Sequence, residues 1–373
     1  MTKDLIYLDY NATAPIRPQV IATIVDVMTE GGNPSSVHGI GRLAKARMEE
    51  ARSIIAKTLN CRPQMVIFTS GGTEANNMAL LSDLRSRLII SNVAHDSVRS
   101  VAERFEGSVD VLKVNQDGVV DLEALEKMLD SGAEDTIISI LYANNETGVI
   151  QDVKKIAEIA HNAGALLHID AIQATAKIDI DFMDIGCDMM SISSHKIGGP
   201  QGVGALLVFE KLPVSSFILG GGQEAGRRGG TENIAGIAGF GHAISMIPSS
   251  LEKMQELELW RDQIEQKLAD HAPDVLFLGK NVKRLPNVSM IYMADVMSET
   301  QVMNFDLDKI CVSAGSACSS GKVKLSHVVD AMFDDEKIAR STVRMSLGWA
   351  SVHSDADAFV KSWIKQYDRK HKS

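Results

Sequence analysis

The chain has 373 residues, with 38 lysines and arginines against 48 aspartates and glutamates, a formal charge of -10. That length accommodates one large α/β domain plus a smaller one and a sizeable core, while the acidic balance excludes a nucleic-acid footprint and argues against a membrane surface. No apolar stretch approaches membrane-spanning length and the run from Met1 shows no charged leader with an apolar core, so a cytoplasmic protein is expected. The four cysteines (Cys61, Cys187, Cys311, Cys318) lack CxxC spacing. Neither a disulfide framework nor a metal site is expected.

The hydrophobic pattern predicts a short strand over 5–10, a turn-rich stretch, then an amphipathic helix through Val20, Ile24 and Val27. Gly31 to Ser36 breaks it, and a second helix is predicted from about Arg42 to Leu59. Strand-like runs at 65–68, 88–93, 109–114, 136–141 and 166–170 then alternate with helical runs at 74–84, 97–105, 122–129 and 153–163. Such alternation predicts a mostly parallel sheet covered by helices on both faces. A further strand at 203–209 precedes a glycine-rich stretch, 220–233, whose Arg227 and Arg228 suit a loop close to an anion. A helix at 249–271, with Met254, Leu257, Trp260, Ile264 and Leu268 on one stripe, bridges to a second domain. That domain holds a strand at 287–292, the segment 311–321, the run 341–348 and a closing helix at 355–367; the basic tail from Lys365 is read as a frayed, solvated helix end.

In an open parallel sheet the ligand lies beyond the carboxyl ends of the strands. There the chain places Thr69-Ser70-Gly71-Gly72-Thr73-Glu74, where glycines admit close approach and a helix start offers N–H groups to an anion. Further ends bring His95, the run Ala143 to Gly148, Asp170 with Gln173 one turn on, and Ser193-Ser194-His195-Lys196. Pyridoxal phosphate needs a lysine for a Schiff base, a carboxylate for the ring nitrogen, a flat group to stack on the ring and donors for the phosphate. Lys196, Asp170, His95, and Gly72 and Thr73 with Ser193 and His195 supply these. Cys187 and Cys311 sit in apolar runs and read as inert core thiols, whereas Cys318, among small residues from Ser313 to Gly321, is placed to be a nucleophile.

These residues resemble the NifS/IscS-like cysteine desulfurases, fold type I pyridoxal phosphate enzymes related to class V aminotransferases. The likeness runs through Tyr7 to Thr13, Asn33 to Ser36, Phe68 to Glu74, Asn144 to Glu146, His168 to Gln173, Ser193 to Lys196, Arg228 to Thr231 and Gly315 to Cys318. It implies a fold type I architecture with a large cofactor-binding domain at 16–251 and a small α+β domain made of 1–15 and 252–373 that carries the cysteine loop. It further implies that Lys196 forms the aldimine, His95 stacks on the ring and Asp170 pairs with its nitrogen. Gln173 and Asn145 would bond the ring hydroxyl or substrate, and Thr73, Ser193 and His195 the phosphate. Thr231 would reach the phosphate across a homodimer interface, and Arg344 would clamp the substrate carboxylate. The implied reaction takes sulfur from L-cysteine, leaving L-alanine and a persulfide on Cys318, with His95 a candidate for taking the thiol proton. The sulfur would pass to an acceptor or iron-sulfur scaffold protein. A selenocysteine lyase or class V aminotransferase would use the same lysine and aspartate, and a sulfur-carrier scaffold without turnover is a third reading. Ala225, Ala314 and Trp349 depart from the usual pattern, where arginine, serine and a basic residue are common.

Overall fold

The computed structural model describes residues 5–82, 85–130, 133–216, 218–315 and 325–371. In chain order the amino-terminal part runs β1 (Ile6–Tyr7), α1 (Pro18–Glu30), α2 (Gly39–Thr58), β2 (Val66–Thr69), α3 (Gly72–Leu80), β3 (Arg87–Ser91), α4 (Asp96–Ala102) and β4 (Ser108–Leu112). The middle continues with α5 (Leu122–Leu129), β5 (Thr136–Leu141), α6 (Val153–Asn162), β6 (Leu166–Asp170), α7 (Phe182–Ile185), β7 (Met189–Ser193), β8 (Gly204–Val208) and α8 (Ile234–Ser245). The remainder is α9 (Ile247–His271), β9 (Leu276–Phe277), β10 (Val288–Tyr292), α10 (Ser298–Leu307), β11 (Ile310–Cys311), α11 (His327–Phe333), α12 (Glu336–Arg340), β12 (Thr342–Ser346) and α13 (His353–His371).

Seven strands form one sheet in the order β2-β8-β7-β6-β5-β3-β4. Strand β8 runs antiparallel to both β2 and β7, and the pairs β7-β6, β6-β5, β5-β3 and β3-β4 are parallel. Every residue of β5, β6, β7 and β8 is buried, as a sheet covered on both faces requires. Asp121 and Asp152 start α5 and α6 by accepting from the N–H groups of Ala124 and Lys155, which satisfies donors that the first helical turn leaves open. Two apolar clusters lie on the faces of this sheet, one including Ile55, Phe68, Ile138 and Phe240, the other Met78, Leu88 and Val98. A third, around Trp260, Phe305, Phe359 and Trp363, forms the core beside the antiparallel sheet β12-β10-β9. Val93 joins a fourth cluster with Met290, Val329 and Met332, which ties the end of β3 to this carboxyl-terminal part.

Some elements differ from the pattern reading. Helix α8 was not predicted, because its three glycines count against a helix. Here they permit contact: a Cβ on Gly239 would meet Ile24 at 2.8 Å, and one on Gly241 would meet the Ala51 Cα at 2.7 Å. Helix α3 begins at Gly72 rather than Glu74, so its first turn sits at the strand end. The carboxyl-terminal tail is no frayed end as far as His371, which packs on Tyr367 at 4.3 Å between centroids and bonds the Ala294 carbonyl at 3.1 Å. Among the described residues no single helix is long and apolar enough to cross a membrane.

Candidate active site

Beyond the carboxyl ends of β2, β3, β5, β6 and β7 lies a cavity of about 280 Å³. It is lined by Gly72, Thr73, His95, Asn145, Asp170, Gln173, Ser193, His195, Lys196 and Arg344, all anticipated from sequence, and also by Asn11 and Glu146. Parallel strands bring their ends to one edge, and that alone gathers residues far apart in the chain. A larger surface hollow of about 560 Å³, between α2 and the loop at 222–232, holds none of these residues.

Lys196 ends a single 3-10 turn after β7. Its Nζ donates to the carbonyls of Asn11 and Ala12 at 2.7 Å each, so the amino-terminal segment aims the amine. Asp170, at the tip of β6, is 2% exposed. Burial pushes its carboxyl above the ordinary range, while His95, the Asn76 amide, the Ile172 N–H and Lys196 pull the other way. Such a carboxylate is stabilised by a cationic ring N–H. Asn76 on α3 was not anticipated. Its Nδ2 donates to Asp170 Oδ2 and to Ser97 Oγ, both at 2.8 Å. Ser97 Oγ therefore has its own proton free for His95 Nδ1 at 2.8 Å, and the Ser97 backbone N–H also points at Nδ1, at 3.1 Å. A nitrogen receiving two donors is an acceptor, so neutral His95 carries its proton on Nε2.

At the other end of the cavity, α3 has Gly71 at its N-cap position and no side-chain cap, leaving its first N–H groups for an anion. Ser193 Oγ lies in the same region, buried and without a hydrogen-bond partner among the described residues. Gly72 leaves room there, since a Cβ would come within 2.2 Å of Ile172 Cδ1 and oblige that side chain to shift. His195 Nδ1 faces Thr13 Oγ1 at 3.1 Å, and burial with the neighbouring lysines 196 and 177 lowers its pKa to about 4, so it is neutral at physiological pH.

Arg344, on β12, is held by Asp9 Oδ1 at 2.6 Å and by the Asn145 carbonyl at 3.1 Å. Its Nε is buried without a hydrogen-bond partner among the described residues. Asn145 and Glu146 ride on a hairpin tied down by Ile150 N to Lys283 O and Leu285 N to Gly148 O, 2.9 and 2.8 Å. The buried pair Arg284 and Glu265, bidentate at 2.8 and 3.0 Å, supports that turn. Glu146 is another residue whose role the sequence did not show; burial raises its carboxyl's pKa, and Ser326 Oγ donates to it at 2.5 Å.

Thr231 does not reach this chain's cavity and is exposed. Arg228, expected near an anion, is instead paired with Glu74 at 2.9 Å, which fastens the loop carrying Thr231 to the start of α3. Cys318 lies outside the described residues. Cys187 is buried as anticipated, but Cys311 is only part-buried. Trp349 donates to the Pro15 carbonyl at 2.8 Å and lies under Arg17 at 5.1 Å. Among the described residues no group of three or more His, Cys, Asp or Glu side chains is arranged to hold a metal.

The aminotransferase class-V family profile matches residues 6–359. The cysteine desulfurase IscS of Dictyoglomus turgidum is 38% identical over 94% of this chain and 91% of that protein. The chain belongs to the class-V aminotransferase family, among the cysteine desulfurases. A cysteine desulfurase of Cereibacter sphaeroides is 37% identical, covering 95% of this chain and 94% of its own. Among solved structures, a NifS-like protein from Rickettsia africae superposes with a TM-score of 0.91 at 36% identity, over 98% of this chain and 99% of that one. Enzymes of this family depend on pyridoxal phosphate, and the donors present fit it: an amine, a buried carboxylate, and an orphaned hydroxyl beside an uncapped helix start.

Proposed function

We propose that this protein removes sulfur from L-cysteine with pyridoxal phosphate, releasing L-alanine and leaving the sulfur as a persulfide on Cys318 for an acceptor protein. The observation that carries the reading is the convergence of Lys196, Asp170, His95 and the Ser193 hydroxyl on one cavity. When bound, the cofactor supplies an electron sink for bonds broken at the substrate α- and β-carbons. Lys196 would attach its aldehyde and move the α-proton. Asp170, backed by Asn76, would keep a ring N–H protonated, with His95 over the ring and Gln173 or Asn145 at its hydroxyl. The first turn of α3, Thr73, Ser193 and His195 would hold the phosphate. The Arg344 Nε, with the rest of its fork steadied by Asp9, would receive the substrate carboxylate. Transfer then balances as cysteine plus the Cys318 thiol giving alanine plus the Cys318 persulfide.

His95 Nδ1 is occupied by two donors. That fixes the orientation of the ring, and His95 stays in this reading as the candidate for taking the thiol proton.

The reading includes the division into a large unit at 16–251 and a small one of 1–15 with 252–373, consistent with the seven-stranded sheet lying in the first, the sheets β12-β10-β9 and β1-β11 in the second, and separate apolar cores. It includes a homodimer, in which Thr231 would serve the partner's cavity. The exposed stripe Ile21, Val25 and Met28 on α1, with Ile40 and Leu43 on α2, supports an interface there. It includes a cytoplasmic location, where thiols stay reduced. An acceptor for iron-sulfur assembly is the expected recipient.

Mass spectrometry after exposure to L-cysteine tests the central step. A gain of one sulfur on the peptide containing Cys318, with alanine released in the absence of a keto acid, is expected. Alanine and sulfide formation by Cys318→Ser at the parental rate would refute it.

A further inference from the structure

Four residues beyond Gln173 the chain turns inward at Lys177, a lysine that neither the sequence pattern nor the resemblance assigns a role. The turn passes through Ala176 at a φ of 63°, and the Lys177 side chain ends in the wall between Gln173 and the amino-terminal segment, with the residue 5% exposed. Its Nζ donates to Gln173 Oε1 at 2.5 Å and to Asn11 Oδ1 at 2.9 Å. Burial, with Lys196 and Arg344 nearby, pushes this amine's pKa well below its ordinary value. Those two side-chain oxygens are the acceptors that the buried amine meets.

Gln173 is held from both sides. Its Oε1 receives Lys177, and its Nε2 gives one N–H to the Asn11 carbonyl at 2.9 Å. One N–H of the amide is left, on a side chain that lines the cavity. Asn11 is pinned in turn, its Oδ1 receiving Asn287 at 3.2 Å and its Nδ2 donating to the Asn145 carbonyl at 3.1 Å. The same Asn11 carbonyl accepts from Lys196.

We propose that Lys177 is a positioning residue that holds the Gln173 amide in one orientation and so presents a single N–H to the ring of the bound cofactor. The proposal rests on the cofactor reading above. With Lys177 gone, Gln173 Oε1 is a buried acceptor without a donor, and the amide turns to find one.

The test is a pH titration of the visible absorbance of the cofactor-loaded enzyme, in which a donor at the ring hydroxyl sets the midpoint. Lys177→Met is expected to displace that midpoint by about half a pH unit or more. Gln173→Ala should displace it in the same direction, and the double variant no further than Gln173→Ala alone. An unmoved midpoint in Lys177→Met overturns the proposal. So does a Lys177 effect that persists at full size in the Gln173→Ala background, because the amine would then act by another route. A Lys177→Met chain that fails to fold overturns it too, assigning the amine to the core. Failure of the cofactor reading shows separately, as a parent protein that develops no visible band with pyridoxal phosphate, and removes both.

Discussion

Replacing Gly72 by alanine tests whether the start of α3 is fitted to the cavity or merely lies beside it. On propensity alone the change favours the helix by up to about 1 kcal/mol. Sterics oppose it: the new Cβ would lie 2.2 Å from Ile172 Cδ1 and 3.0 Å from its Cγ1, where apolar carbons settle at about 3.5–4.0 Å. The Ile172 Cδ1 can turn away, but its Cγ1 sits next to a backbone anchored by the Ile172 N–H bond to Asp170 Oδ1 at 3.1 Å, so relief requires a change of χ1. Overpacking of this kind costs about 1–3 kcal/mol, which exceeds the helical gain. Moving the helix start also lengthens the N–H contacts to a bound phosphate. Each charge-assisted bond lost is worth about 1.5–3 kcal/mol, or roughly 10- to 100-fold in affinity. Gly72→Ala should therefore lower the urea midpoint of the cofactor-free protein and weaken pyridoxal phosphate binding at least about tenfold, read by absorbance titration. Adding Ile172→Ala removes both close carbons, so the double variant should be more stable than Gly72→Ala alone. Parental stability and affinity in Gly72→Ala, or strictly additive effects in the double, would refute the steric argument.

The bridge between Asp170 and His95 predicts that Asn76→Leu lowers kcat about 10- to 100-fold and weakens cofactor binding, since a buried carboxylate loses a donor; steady-state kinetics with a cofactor titration check it, and Ser97→Ala should spare the affinity. His168, fully buried between Ser139 and Ser191 at 2.9 Å each, has its pKa lowered to about 3 by burial. From about 6.5 down to that value the unfolded chain binds the extra proton, so its contribution to stability is lost as pH falls through this window, by up to about 1.4 kcal/mol per pH unit. His168→Gln should reduce the slope of the cofactor-free protein's denaturation midpoint against pH between 4.5 and 6.5, relative to the parent. Glu265→Leu strands the Arg284 guanidinium, which is 5% exposed, and should cost about 3–5 kcal/mol by denaturant titration. Adding Arg284→Met should restore most of that loss.

The strand runs and the helices between them were legible because buried parallel strands are continuous apolar runs and the covering helices repeat every three to four residues. The chemistry-bearing ends followed, since a parallel sheet delivers its carboxyl ends to one edge, and ten of the anticipated residues line the cavity there. The resemblance supplied their roles, which composition and spacing alone could not assign. What hid α8 was local: its glycines oppose a helix in isolation, and their use appears only once α1 and α2 lie against them.

Sequence by itself thus determined the layered α/β fold and the set of side chains at one sheet edge, because both follow from periodicities that each segment carries alone. Tertiary structure decided which polar groups face each other across long separations. Asn76 between Asp170 and Ser97, Asp9 on Arg344, and Lys177 beneath Gln173 all depend on contacts that no local pattern encodes. Hydrogen bonds act over about 3 Å, so their partners are known only when the packed backbone has fixed where each side chain ends.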